Sequence, residues 1–135
     1  MVARYEMTTR VKGPLPGAKA RVVEALKDQG FGVLTEIDVQ KTLKEKLGAD
    51  MEPYLILGAC NPLLAQRALD ADRSIGLLLP CNVVLRQEDG DVRVSIQDPR
   101  TMFEVTDPRT QVDLAGLPEE ARSRLHAALE SLGNG

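Results

Sequence analysis

The sequence predicts an α+β fold, a two-layer arrangement of a mostly antiparallel five-stranded sheet with its main helices on one face. Three observations lead there. Runs of strand length with alternating apolar and polar residues recur through the chain, and one long amphipathic helical stretch lies near each end. Asp89 and Gly90 stand between two alternating runs, the strongest short hairpin signal in the sequence. The helical connectors are short, so leaving them out gives the order β-α-β-β-β-β-α. A ferredoxin-like or other mixed sheet is the alternative, with the stretches 39–47 and 62–73 acting as parallel crossovers. With 135 residues, the chain is expected to form a single domain, 1–135, that buries about two-thirds of the surface its unfolded form exposes.

The elements follow in order. Tyr5, Met7, Thr9 and Val11 alternate with Glu6, Thr8, Arg10 and Lys12, a half-buried first strand. After the turn at Gly13 to Pro16, a helix from Leu15 or Pro16 to Gln29 places Ala18, Val22, Ala25 and Leu26 inward, and Gly30 supplies a left-handed stop. Phe31, Val33, Thr35 and Ile37 form one face of the second strand. Asp38 then caps a short helix carrying Val39, Leu43 and Leu47 at i, i+4, i+8, which Gly48 ends.

Residues 55 to 84, LILGACNPLLAQRALDADRSIGLLLPCNVV, hold both cysteines and the longest apolar runs, and the rest of the chain is arranged around them. Tyr54 to Ala59 has strand length and composition. Asn61 suits a helix N-cap and Pro62 the first helical position, where no N–H is needed. Leu64, Ala68, Ala71 and Ile75 recur at helical spacing as an inward face, and Gly76 is expected to end the helix. From Leu77 onward, alternation places Leu77, Leu79, Cys81, Val83 and Leu85 on one face, with the regular strand beginning near Cys81 because Pro80 has no N–H to donate. Counting outward from Asp89–Gly90 pairs Glu88 with Asp91, Leu85 with Val94 and Val83 with Ile96, so apolar meets apolar. The same count sets Arg86 opposite Arg93 and Cys81 beside Asp98. Asp98 and Pro99 repeat the cap-then-proline pattern and start a turn bearing Met102 and Phe103. Residues 105 to 116 read as a loop, and Pro118 to Leu132 as the last helix, with Ala121, Leu125, Ala128, Leu129 and Leu132 inward.

The blocks LGACNP, IGLLLPCNVV and SIQDPRTMF, preceded by GFGVLTEIDVQKTLKEKLG, occur in the order they take in domain of unknown function family 302. The chain resembles that family from about Tyr5 to the last helix. The resemblance implies a compact α+β domain of the bent-sheet, TBP-like kind that forms a homodimer, and it implies no reaction.

Composition narrows the function classes. Hydrophobic residues make up 43% of the chain but aromatics only 3%, so the core is aliphatic and stacking platforms are scarce. With 17 basic and 20 acidic residues, a net charge of −3 and no basic run, the chain lacks the footprint of a nucleic-acid binder. The N-terminus has no signal-like apolar region and no stretch approaches transmembrane length, which points to the cytoplasm and away from membranes. In that compartment two cysteines are expected to stay reduced.

Candidate chemistry gathers at the two cysteines. Cys60 precedes a helix N-terminus, where partial positive charge favours a thiolate; the plainer reading is a small residue in a tight corner. Cys81 lies in register with Leu79 and Val83, as a core residue would. Each cysteine is followed by an asparagine, so Cys60, Asn61, Cys81, Asn82 and the neighbouring Asp98 form the candidate ligand-binding set. Two functions of different class compete: a homodimeric domain holding a small ligand near Cys60, Asn61 and Cys81, and a thiol enzyme or sensor with Cys60 reactive and Cys81 resolving. Two cysteines at this separation make no zinc signature, the lone His126 sits on a polar helix face, and the common hydrolase, nucleotide-binding and metalloprotease motifs are missing. No cofactor is indicated.

Overall fold

The computed structural model describes residues 2–133. Five strands, β1 (Glu6–Lys12), β2 (Gly32–Asp38), β3 (Tyr54–Cys60), β4 (Cys81–Glu88) and β5 (Asp91–Gln97), form one open sheet in the order β1-β5-β4-β3-β2. All four neighbouring pairs are antiparallel, which excludes the mixed-sheet alternative. The helices are α1 (Leu15–Asp28), α2 (Val39–Leu47), α3 (Pro62–Ala71), α4 (Pro99–Phe103), α5 (Pro108–Asp113) and α6 (Leu117–Gly133), with a 3₁₀ segment at Arg73–Leu78. Among the described residues, no helix is long and apolar enough to cross a membrane.

The β4–β5 hairpin has the register that its turn dictates. Asp89 and Gly90 both adopt positive φ, 53° and 85°, and the pairs Glu88 with Asp91, Leu85 with Val94 and Val83 with Ile96 follow. The helix-facing side of the hairpin is thereby mostly apolar, with Val83, Leu85, Val92, Val94 and Ile96 buried. Helices α1 and α6 pack on each other and over this face, through Ala18, Val22 and Leu26 on one and Ala121, Leu125 and Ala128 on the other. Leu55, Leu57 and Ala59 extend the same core through β3.

Four local readings need correction. The second strand does not alternate cleanly: its pairing with β3 slips between Val33 and Thr35, so Leu34 bulges out exposed and Ile37 falls on the face away from the helices. Helix α3 ends at Ala71, which is exposed, and Asp72 starts the 3₁₀ segment by accepting the Ser74 N–H at 2.9 Å. That segment buries Ile75, carries the chain past Gly76, and leaves Leu77 exposed, outside the strand alternation. Residues 105–116 are not all loop: α5 starts after Asp107 with Pro108 in its first turn, and its buried Thr110 donates to the second Asp72 carboxylate oxygen at 2.9 Å. The last helix begins one residue earlier than read and runs through Gly133.

At the far end of β3, the chain approaches itself too closely for a side chain at position 58. A Cβ on Gly58 would overlap the Thr35 hydroxyl and lie 2.8 Å from Pro80 Cγ. Gly58→Ala is therefore expected to destabilise the fold by about 1–3 kcal/mol, the range for overpacking, measured by urea unfolding. An unchanged midpoint would show that Thr35 and Pro80 can move apart without cost.

Candidate functional site

Strands β3 and β4 bring the two cysteines to one end of the sheet. Cys81 pairs directly with Ala59, and Cys60 is the next residue along β3, opposite Gly32. Both thiols are free. The two thiols are close enough for the charge of one to act on the other, yet no disulfide joins them. A cavity of about 40 Å³ lies at this end, lined by Phe31, Cys60, Asn61, Leu64, Cys81 and Met102 among others. Its wall is almost wholly apolar.

Burial governs both thiols. It raises Cys60 above its ordinary value. It pushes Cys81, with a smaller contribution from the neighbouring Cys60, up to about 11. The helix N-terminus expected to favour a Cys60 thiolate is occupied from within: Asn61 is buried, and its side-chain oxygen accepts the Leu64 N–H at 3.2 Å. Gly30, at φ +85°, packs so tightly on Asn61 that an added Cβ would meet its Nδ2 at 3.0 Å. Asn61 is thus a cap wedged between helix ends, and the fold uses the helix terminus that the thiolate reading needed.

The remaining candidates point elsewhere. Asn82 pairs with Gly58 and is exposed on the sheet face away from the helices. Asp98 donates its backbone N–H to the Tyr5 carbonyl at 2.8 Å, extending the β1–β5 ladder by one residue. Its carboxylate is buried and caps α4 by accepting the Arg100 N–H at 2.9 Å. The same group meets the side chains of Arg100 at 3.1 Å and Arg122 at 3.4 Å. Burial acts to raise its pKa, but the Arg100 hydrogen bonds and charge, joined by Arg122, outweigh this and hold it below the usual carboxylate range. Asp98 ties α4 and α6 to the sheet. Among the described residues, no group of three or more His, Cys, Asp or Glu is placed to hold a metal ion.

A polar groove on the open sheet face was missed in the sequence. On the sheet face away from the helices, Tyr5, Tyr54, Asn82, Val84, Arg86 and Gln97 line a groove of about 430 Å³. Beside it, Tyr54, Arg86, Arg93 and Arg10 are successive cross-strand partners on β3, β4, β5 and β1. Arg93 is largely buried and meets Glu6 at 3.1 Å. Arg10 meets Glu88 at 2.7 Å. Arg86 reaches the other oxygen of Glu88 only at 3.5 Å. The hairpin register already set Arg86 against Arg93; Arg10 and the tyrosines could have been added only with the β1–β5 and β3–β4 registers in hand.

Residues 7–132 match the model of the family described as domain of unknown function DUF302. A crystal structure of an uncharacterised conserved DUF302 protein from Bacillus stearothermophilus is similar over 96% of this chain and 99% of that one, with a TM-score of 0.83 and 32% identity. No functionally curated protein matches the chain. The chain belongs to the DUF302 family.

Two measurements check the electrostatics. A thiol whose pKa is higher in the folded state contributes stability that is complete below its unfolded value and is lost as pH climbs toward the folded one. Wild type should therefore lose stability between pH 9 and about 11 relative to Cys81→Ala, by an amount on the order of 3 kcal/mol at most; parallel pH profiles for the two proteins would contradict the assignment. Asp98 has the opposite sign, since a depressed carboxylate stabilises above its ordinary 3.8 and loses that contribution as pH falls. Asp98→Asn should cost about 1–3 kcal/mol at pH 7, with the gap to wild type narrowing below pH 4.

Proposed function

We propose that this DUF302 protein is a homodimeric small-ligand-binding domain in which the cysteines pack and do no redox chemistry. The observation that carries the reading is the contrast between the hollows on either side of the cysteine end of the sheet. The cavity at Cys60, Asn61 and Cys81 is about 40 Å³ and apolar, whereas the groove that Asn82 faces is about 430 Å³, within the range of about 300–1,000 Å³ common for ligand pockets. The ligand therefore sits against Asn82 on the exposed sheet face, and the cysteine cavity lies behind it at the same strand ends. The thiol alternative has less support. A reactive cysteine needs a depressed pKa, and burial raises both thiols. Adjacent reduced thiols also fit the reducing cytoplasm.

Support for the dimer comes from the edge strand β2. Leu34 and Ile37 on this strand, and Leu47 at the end of the following helix, are all exposed, beside a row of backbone groups that β2 leaves unpaired on its outer side. Native mass spectrometry of protein from its own source should show a dimer carrying one small-molecule mass per chain, released on denaturation. Leu34→Lys together with Ile37→Lys should shift sedimentation at micromolar concentration from dimer to monomer. A wild-type monomer, or a dimer with no bound mass, counts against the corresponding half of the proposal.

A further inference from the structure

We infer that the exposed-face groove binds a small organic carboxylate, with Arg86 as the residue that grips the acid. This rests on the ligand-binding reading above and adds the ligand's chemistry. The ionic groups around the groove are not equivalent. Glu6 lines the groove but is spoken for: it accepts the Ala3 N–H at 2.7 Å and the Arg93 guanidinium at 3.1 Å. It stays ionised, because those hydrogen bonds and the Arg93 charge outweigh its burial. A cationic ligand would have to break that pairing. Glu88 is likewise engaged, since Arg10 holds one carboxylate oxygen at 2.7 Å and the Glu88 backbone carbonyl at 2.8 Å. Arg86 is left with the looser 3.5 Å contact to Glu88, and its side chain is about one-third exposed. A planar guanidinium with donors to spare is matched to a carboxylate, which it binds through two parallel N–H bonds.

The rest of the groove fits an elongated acid. Arg86, Val84 and Asn82 alternate along one face of β4, so the chain presents a cation, an apolar floor and an amide in a line about 13 Å long at roughly 3.3 Å per residue. Gln97 lines the same groove. The chain's two tyrosines, Tyr5 and Tyr54, also line it and bring aromatic faces with hydroxyl tips. Both phenylalanines line the apolar cavity instead. Among four aromatic residues, those able to serve a wet, amphipathic site are gathered at the groove. The implied ligand has a carboxylate, an apolar or aromatic body and a hydrogen-bonding far end.

The test uses 4-hydroxyphenylacetate and its neutral analogue 4-hydroxyphenylacetamide, titrated into the full chain and followed by backbone amide NMR shifts. The acid should shift Asn82, Val84, Arg86 and Gln97 in a saturable manner, and the amide should bind at least tenfold more weakly. Arg86→Gln should weaken the acid at least tenfold at an unchanged Tm, and Arg86→Lys, which keeps the charge but loses the fork, should also weaken it. Equal binding of acid and amide, or an unaltered affinity in folded Arg86→Gln, overturns the inference. Shifts centred on Cys60 and Cys81 overturn the groove while leaving a ligand-binding domain. Failure of the acid to bind overturns the carboxylate assignment, and the mass of the co-purified ligand then judges the broader reading independently.

Discussion

The register set by the turn at Asp89–Gly90 is the constraint from which both faces of the sheet follow. Strand β4 lies at the centre, paired with β5 on one side and β3 on the other. A slip of one residue would turn Val83 and Leu85 outward and drive Arg86 into an aliphatic core, so the hydrophobic penalty and the desolvation of a guanidinium both oppose it. The turn and the core thus agree on one alignment. That alignment orders the helix side, through Val83, Leu85, Val94 and Ile96, and the groove side, through Asn82, Val84 and Arg86.

The row of arginines shows what this rigidity allows. Arg10, Arg93 and Arg86 are direct cross-strand neighbours on three adjacent strands, an arrangement that repels when left alone. Glu6, Glu88 and Asp91 offset it, with Arg93 and Glu6 forming the least exposed pair. The compensation is uneven because Glu88 is shared by Arg10 and Arg86 at unequal distances. An excess of cationic donors is thereby concentrated at the end of the row that borders the groove.

Much of this fold was legible because local signals and periodicity agreed. Asn61–Pro62 and Asp98–Pro99 begin helices in the structure as their residue types demand. The same pattern at Asp107–Pro108 also begins a helix, and the polar composition around it concealed the signal. The bulge in β2 was not legible, because a two-residue period cannot show where one strand carries an extra residue against its partner. The fate of the cysteines was half legible. Adjacency of β3 and β4 brings Cys60 and Cys81 to one end, but the competition between a helix terminus and burial is decided by Asn61 occupying the former and by an apolar wall enforcing the latter.

The groove escaped the sequence for a physical reason of its own. Its residues come from the N-terminal segment, β1, β3, β4 and β5, and adjacency in a sheet depends on strand order, which no short motif encodes. Cysteines attract notice in a short chain because their chemistry is intrinsic to the residue. An arginine or a tyrosine becomes informative only through its neighbours, and here those neighbours are decided by cross-strand pairing. Asn82 connects the two views. It follows Cys81 in sequence, yet the pleat turns it to the opposite face, so the motif that drew attention to the cysteine end carries one residue into the groove behind it.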